Sequence, residues 1–281
     1  MNIRFWGTRG SIAVPGKDTT VFGGNTTCLE IVLSGGTRII VDAGTGIRPL
    51  GEHLLSLGES VQVYLLVTHI HWDHVLGFPF FAPVYSSSSR LYIDGFPTCM
   101  KGLRVTFDTR MGDGFFPVKF EDLRADIHYL ERLKYGPLKI EDTTIDTIAL
   151  QHPQGGFGFR FREAGKTMVF ITDNELRDDA WAGRKPSDYA EFCMGADILI
   201  HDAQYTPDER RKRAGWGHSD YVAALELAEQ AKVGSFWFTH HDPSRKDKEI
   251  SATLLAYREI AKDKNLHFPI EAAFEGAELI L

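Results

Sequence analysis

The chain has 281 residues, 43% apolar and 25% charged, a globular balance able to bury a large core. Its formal net charge of -7 excludes a global basic field for gripping polyanions, although the local field of a site could still receive an anion. Cys28, Cys99 and Cys193 lie far apart and form no CxxC, which excludes a zinc knuckle or a disulfide framework and fits a reducing compartment.

The opening MNIRFWGTRGS has no apolar stretch before a cleavage site, and no apolar run reaches the ~18 residues needed to span a bilayer. A cytoplasmic setting without a membrane partner is therefore expected. With no internal repeat and no Pro- or Ser-rich linker, residues 1–281 read as one domain.

In chain order, NIRFWG, CLEIVLS and TRIIVDAG are short strand-like runs between Gly-rich turns. GIRPLGEHLLSLG reads as a helix, and VQVYLLV as a strand buried on both faces. DHVLGFPFF starts a helix or turn, and RLYI is strand-like. PLKIEDTTIDTIAL, FGFRFREAG, KTMVFITD and ADILIHDA return to strands. SDYVAALELAEQA is an amphipathic helix with Ser219 or Asp220 as its N-cap. SFWFTHHD is a strand, and SRKDKEISATLLAYREIAKD is the last long helix.

One pattern recurs. The apolar strands end in His or Asp at LLVTHIHWDH, TIALQH, VFITD, DILIHD and FWFTH, which would gather polar groups on one rim of a sheet. The densest case is THIHWDH. On a strand, His69 and His71 share a face and would converge on one ion. Asp73 and His74 follow where the chain turns and would face a neighbouring ion. Four ligand-type residues fed by a buried strand need partners, and two metals satisfy them better than they satisfy one another. Imidazole and carboxylate suit zinc first, with manganese or iron as alternatives.

HxHxDH in THIHWDH resembles the motif of the metallo-β-lactamase superfamily. The resemblance extends over most of the chain, through FWGTRGS, FGGNTTCLEI, VDAGTG, TIALQH, FITD, LIHDA, GHSD and FTH. It implies an α+β fold, a four-layer αββα sandwich with two divalent metals at the edge shared by the sheets. By this likeness His69, His71 and His152 would bind the first metal, and Asp73, His74 and His240 the second. Asp173 would bridge them. His241 adjoins His240 and would take a rim or supporting role.

The motifs also select a branch. Asp173 stands where a lactamase of the superfamily carries cysteine, and His71 stands where the diiron oxidoreductases carry a carboxylate. LIHDAQY resembles the HEAT loop of tRNase Z, and GWGHSD its GHST segment. The likeness implies that His218 binds a phosphate oxygen or protonates the leaving alkoxide, with Asp202 orienting it and Asp73 essential to catalysis. His201 is either a direct participant or a buried strand-end residue.

No long basic arm of the tRNase Z kind is present, so the expectation is hydrolysis of a small phosphodiester, a cyclic nucleotide first, by a metal-bridging hydroxide. An RNA or DNA nuclease is the alternative, as is a thioester or lactone hydrolase on the same metals. A homodimer is the assembly the resemblance raises. Gly23, Gly24 and Asn25 form either a turn near the metals or an ordinary hairpin. Residues 111–120 (MGDGFFPVKF) form either a base-stacking flap or a core plug. Arg9, Arg110, Arg160 and the run RRKR at 210–213 are either phosphate contacts or ordinary surface charges.

Overall fold

The computed structural model describes residues 1–96, 111, 112, 114, 116–179 and 184–281. Two seven-stranded sheets pack face to face. In the first, β1 (Asn2–Gly7), β2 (Cys28–Val32), β3 (Arg38–Val41), β4 (Gln62–Val67), β5 (Arg90–Gly95) and β6 (Asp126–Tyr129) follow one another, and β14 (Glu278–Ile280) pairs outside β1. The second runs β13 (Ile270–Ala272), β12 (Phe236–Thr239), β11 (Ile198–Asp202), β10 (Lys166–Ile171), β9 (Phe157–Glu163), β8 (Thr143–Ala149), β7 (Leu138–Ile140). Strands β3 to β6 are mutually parallel, as are β10 to β13, so their C-terminal ends line up.

Alternation along the strands builds three apolar layers. Between the sheets lie Ile3, Phe5, Ile31, Leu66, Phe159, Phe161, Phe170 and Ile200. On the far side of the first sheet, Ile40, Val63, Leu65 and Ile93 pack against Ile47, Leu50 and Leu54 of α1 (Ile47–Ser56). On the far side of the second, Val169, Ile171, Leu199 and Phe238 meet α3 (Pro186–Cys193), α5 (Tyr221–Gln230) and α6 (Asp247–Asp263). The result is the four-layer αββα sandwich of the metallo-β-lactamase fold. Two further short helices, α2 (Trp72–Val75) and α4 (Pro207–Lys212), sit at the aligned strand ends.

Central β4 is buried on both faces from Leu65 to Val67, as its continuous apolar run requires. It stops at Val67, however, so His69 and His71 are not strand residues. They meet because the chain beyond β4 turns into α2, with His71 in extended backbone at φ -62°, ψ 151°, and because the two rings present different nitrogens. Asp220 is the N-cap of α5, its carboxylate accepting the N–H groups of Val222 and Ala223. Cys28 and Cys193 are buried free thiols. Cys99, Arg110 and Phe115 lie outside the described residues.

Candidate metal centre and active site

Five strand ends deliver polar side chains to one rim: β4 leads to His69 and His71, β8 to His152, β10 to Asp173, β11 ends at Asp202, and β12 leads to His240. His69 Nε2 and His152 Nε2 lie 3.1 and 3.0 Å from His71 Nδ1. The outer nitrogens fix the tautomers. His152 Nδ1 donates to the Gly217 carbonyl at 3.0 Å, and His71 Nε2 donates to Gln154 Oε1 at 3.3 Å. Thr68 Oγ1 gives its proton to Asp42, so it accepts from His69 Nδ1 at 3.1 Å. Each inner nitrogen then carries a lone pair, and three lone pairs converging at these distances are well placed to share a cation.

A second cluster adjoins the first. His74 Nε2 is buried without a hydrogen-bond partner and lies 3.3 Å from Asp73 Oδ2 and 3.2 Å from Asp173 Oδ2. His240 Nε2 lies 3.2 Å from each of the same two oxygens. Asp173 faces both clusters: its other oxygen, Oδ1, is 3.7 Å from His69 Nε2 and from His152 Nε2. Two sets of ligand-type residues, His69–His71–His152 and Asp73–His74–Asp173–His240, are each compact enough to hold an ion, and His218 can also reach one together with His152 and Asp173. Nitrogen and oxygen donors without thiolate suit a borderline divalent metal, so the residues fit the metal reading.

The second cluster favours positive charge: against the effect of burial, its carboxylates raise the pKa values of His74 and His240. Burial opposes ionisation of Asp173, but His240, His74 and His69 outweigh it and hold the carboxyl well below the usual range. Asp73 is held down likewise, burial again opposed, by His74 and His240. Burial lowers His152 to about 4, which keeps its inner nitrogen free to ligate.

Sequence reasoning missed residues that support this centre. Asp42, fully buried, accepts from His74 Nδ1 at 2.8 Å and from the Thr68 N–H at 2.8 Å. It thereby fixes the His74 tautomer. The signal was present, since VDAG is another apolar strand ending in an acid. Ser11 donates its backbone N–H to Asp73 Oδ2 at 2.7 Å, and Gln154 supports His71. Neither carries a local sequence signal.

Beside the clusters a cavity of about 500 Å³ opens between Ser11, Ile70, His71, Trp72, Asp73, Gln154, Asp173 and His218. His218 Nδ1 lies 3.4 Å from Asp202 Oδ2 and 3.8 Å from Asp173 Oδ1. Asp202 is itself held by the N–H groups of Asn174 and Ser219, and burial pushes its pKa up to about 7. Burial lowers His218 to about 4.

Other expectations fall away from the site. His201 is fully buried in β11, with Nδ1 2.7 Å from the Asp202 carbonyl and Nε2 3.3 Å from Asn174, so it is the buried strand-end residue. His241 is not on a rim; it is buried, donating through Nε2 to the Ala273 carbonyl and packing edge-on against Phe22. Arg9 is no phosphate contact, because its guanidinium is buried and donates to the carbonyls of Gly23 and Arg245. Gly23, Gly24 and Asn25 are tied to Arg9, Val14 and Glu275 respectively and do not line the cavity beside the clusters. Arg160 is paired with Asp146 and the Phe192 carbonyl. Arg210 pairs with Asp220 and Arg211 with Asp208, leaving the basic run a solvated helix end. Within 111–120, Met111 and Phe116 join the apolar cluster of Phe78 and Phe81.

Residues 37–241 match the family model of the beta-lactamase superfamily domain. The chain belongs to that superfamily, whose hydrolases are metal-dependent. Among its relatives, the ribonuclease Z of Shouchella clausii (strain KSM-K16) is 25% identical over 292 residues, covering 85% of this chain and 86% of that enzyme. Among solved structures, the metallo-beta-lactamase fold protein YhfI from Bacillus subtilis superposes with a TM-score of 0.69 at 17% identity, over 99% of this chain and 98% of its own. A diphosphatase from the PhnP family gives 0.67 at 17% identity, over 100% and 97%.

Proposed function

We propose that the chain hydrolyses small phosphodiesters, cyclic nucleotides first, at a dinuclear centre. His69, His71 and His152 would hold one divalent ion, Asp73, His74 and His240 the other, with Asp173 shared. The observation that carries this reading is the Asp173 carboxylate, which turns one oxygen toward each cluster. Zinc is the first candidate, with manganese or iron accepted by the same donors. Two such ions would supply Lewis acidity and a water that ionises near neutral pH.

The chain's own residues do the rest. His218 lines the cavity, with Asp202 Oδ2 3.4 Å from its Nδ1. A phosphodiester anion placed beside it raises the imidazole pKa, so the ring gains a proton as substrate binds and delivers it to the departing alkoxide. Asp202, 3.4 Å from His218 Nδ1, would orient the ring for that transfer. Ile70 and Trp72 offer an apolar wall to the remainder of the substrate.

The size and sign of the surroundings support a small substrate. The net charge is -7, and the basic residues near the site, Arg9, Arg210 and Arg245, are engaged with internal partners. The ribonuclease Z relative favours the second reading, an RNA nuclease. A panel of bis-p-nitrophenyl phosphate, cyclic AMP, cyclic GMP, a 2′,3′-cyclic nucleotide, a short RNA and a thioester separates the two. The first reading expects the highest kcat/KM on a cyclic nucleotide, nearly independent of salt. Preference for RNA with a steep loss at high salt establishes the nuclease instead, and turnover of the thioester alone removes both.

A further inference from the structure

We infer that Glu175 is the positioning residue for the imidazoles of His218 and His152, acting through the glycine turn that precedes His218. The His218 half of this inference rests on the proposed phosphodiesterase reading; the His152 half rests on geometry alone.

Glu175 stands two residues after Asp173 and is fully buried. Its Oε2 accepts the Gly215 N–H at 2.9 Å and the Gly217 N–H at 3.0 Å, and its Oε1 accepts Gly215 again at 3.0 Å and Arg177 Nη1 at 3.1 Å. Both glycines have left-handed backbone, φ 84° and 87°, which turns their N–H groups toward one point. Such a turn is an anion cradle. Here the chain's own carboxylate fills it, so the cradle serves as an anchor for the loop.

That anchor controls two imidazoles. The Gly217 carbonyl accepts His152 Nδ1–H at 3.0 Å and so aims His152 Nε2 at the first cluster. A Cβ at Gly217 would lie 2.0 Å from His152 Nδ1, which shows how closely the turn is fitted to that ring. His218 follows at once, and Ser219 is bonded to Asn174 O at 2.6 Å and to Leu176 N at 3.1 Å. Glu175 therefore fixes the N-terminal side of His218 while its neighbours fix the C-terminal side. The turn's tip, Trp216, is 61% exposed, so packing at the tip contributes little to holding the turn.

The test compares Glu175→Ala and Glu175→Gln with the unaltered enzyme, using two substrates and zinc calorimetry. Cyclic AMP, or the best alkoxide-leaving substrate of the panel, needs its leaving group protonated; bis-p-nitrophenyl phosphate releases a phenolate that does not. Glu175→Ala is expected to lower kcat about 100-fold on the alkoxide-leaving substrate, with KM nearly unchanged, and only slightly on the aryl ester. At saturating zinc, where the His152 effect on metal affinity does not enter, combining it with His218→Ala should cost no more than His218→Ala alone. Zinc affinity should fall about 10-fold through the loss of His152 orientation. Glu175→Gln, which keeps one carbonyl acceptor for the turn, should recover most of each effect, and supplies the same comparison at lower amplitude should the alanine variant not fold. Equal losses on both substrates, or additivity with His218→Ala, overturns the His218 half. If no phosphodiester is turned over by the unaltered enzyme, the functional reading and the His218 half fail together. The zinc titration still decides the His152 half, which an unchanged affinity in a folded variant overturns.

Discussion

Asp42, Asp173 and His240 share an uncommon trait: each adopts left-handed backbone without being glycine, at φ 64°, 56° and 57°. Each sits just past the end of an apolar strand, where the sharp turn throws its side chain back over the sheet rim. Asp173 and His240 were legible because their strands end in a polar residue. Asp42 shows the same pattern, but its partner, His74, lies 32 residues away, and pattern alone assigns it no role. Glu175 left no trace, since the turn it anchors is formed by backbone N–H groups at 215 and 217, 40 and 42 residues away. Asp42→Asn should preserve the fold and weaken divalent-ion affinity by about 10- to 100-fold, read by competition against a chromogenic chelator; unchanged affinity would remove Asp42 from the support of His74. Gly10 is a second sensitive point. A Cβ there would lie 2.4 Å from His240 Nδ1 and Cε1, so Gly10→Ala should displace the ring and reduce both metal occupancy and turnover. Full occupancy in that variant would show that the loop yields more easily than the ring.

Among the elements, those with a long apolar run or a strong cap were readable. The interior strands β3, β4, β10, β11 and β12 and the helices α1, α5 and α6 fall where their periodicity places them. The ones missed are short or exposed. β13 and β14 span three residues each, and β6 is only half-buried at the sheet edge, so their apolar signal is too brief to stand out. α3 begins with Pro186 and α4 with Pro207, at N-terminal positions where proline is tolerated but periodicity has barely begun. The strand assignment of His69 and His71 failed for a related reason: β4 is ended by the demands of the site, which needs the chain to turn into α2. For α5 the capping carboxylate is also tied to Arg210. Asp220→Ala should lower stability by about 1–2 kcal/mol in urea unfolding; a change within error would mean that packing alone places the helix and the His218 loop before it.

On the scale of the whole molecule, the two sheets act as a frame that brings buried imidazoles, His69, His74, His152, His218 and His240, and buried carboxylates, Asp42, Asp73, Asp173 and Asp202, to one end of the sandwich. Concentrating like-charged carboxylates and facing lone pairs costs stability unless a cation joins them. Removing divalent ions with a chelator should therefore lower Tm, and adding them back should restore it; a Tm indifferent to chelation would indicate that the cluster is satisfied by protons and hydrogen bonds alone. The same frame carries a net negative charge, and the arginines nearest the site are turned inward or paired. That distribution is the physical basis for proposing a compact substrate over a polyanion track.

The most direct test of the account is a metal titration of the stripped protein, with metal content and turnover of bis-p-nitrophenyl phosphate measured on the same samples, for the unaltered chain and for Asp73→Ala. The account predicts turnover that rises to a plateau at two zinc or manganese ions per chain and disappears in Asp73→Ala, which should keep one ion in the three-histidine cluster. A plateau at a single ion, or two tightly bound ions without phosphodiester turnover, would contradict it.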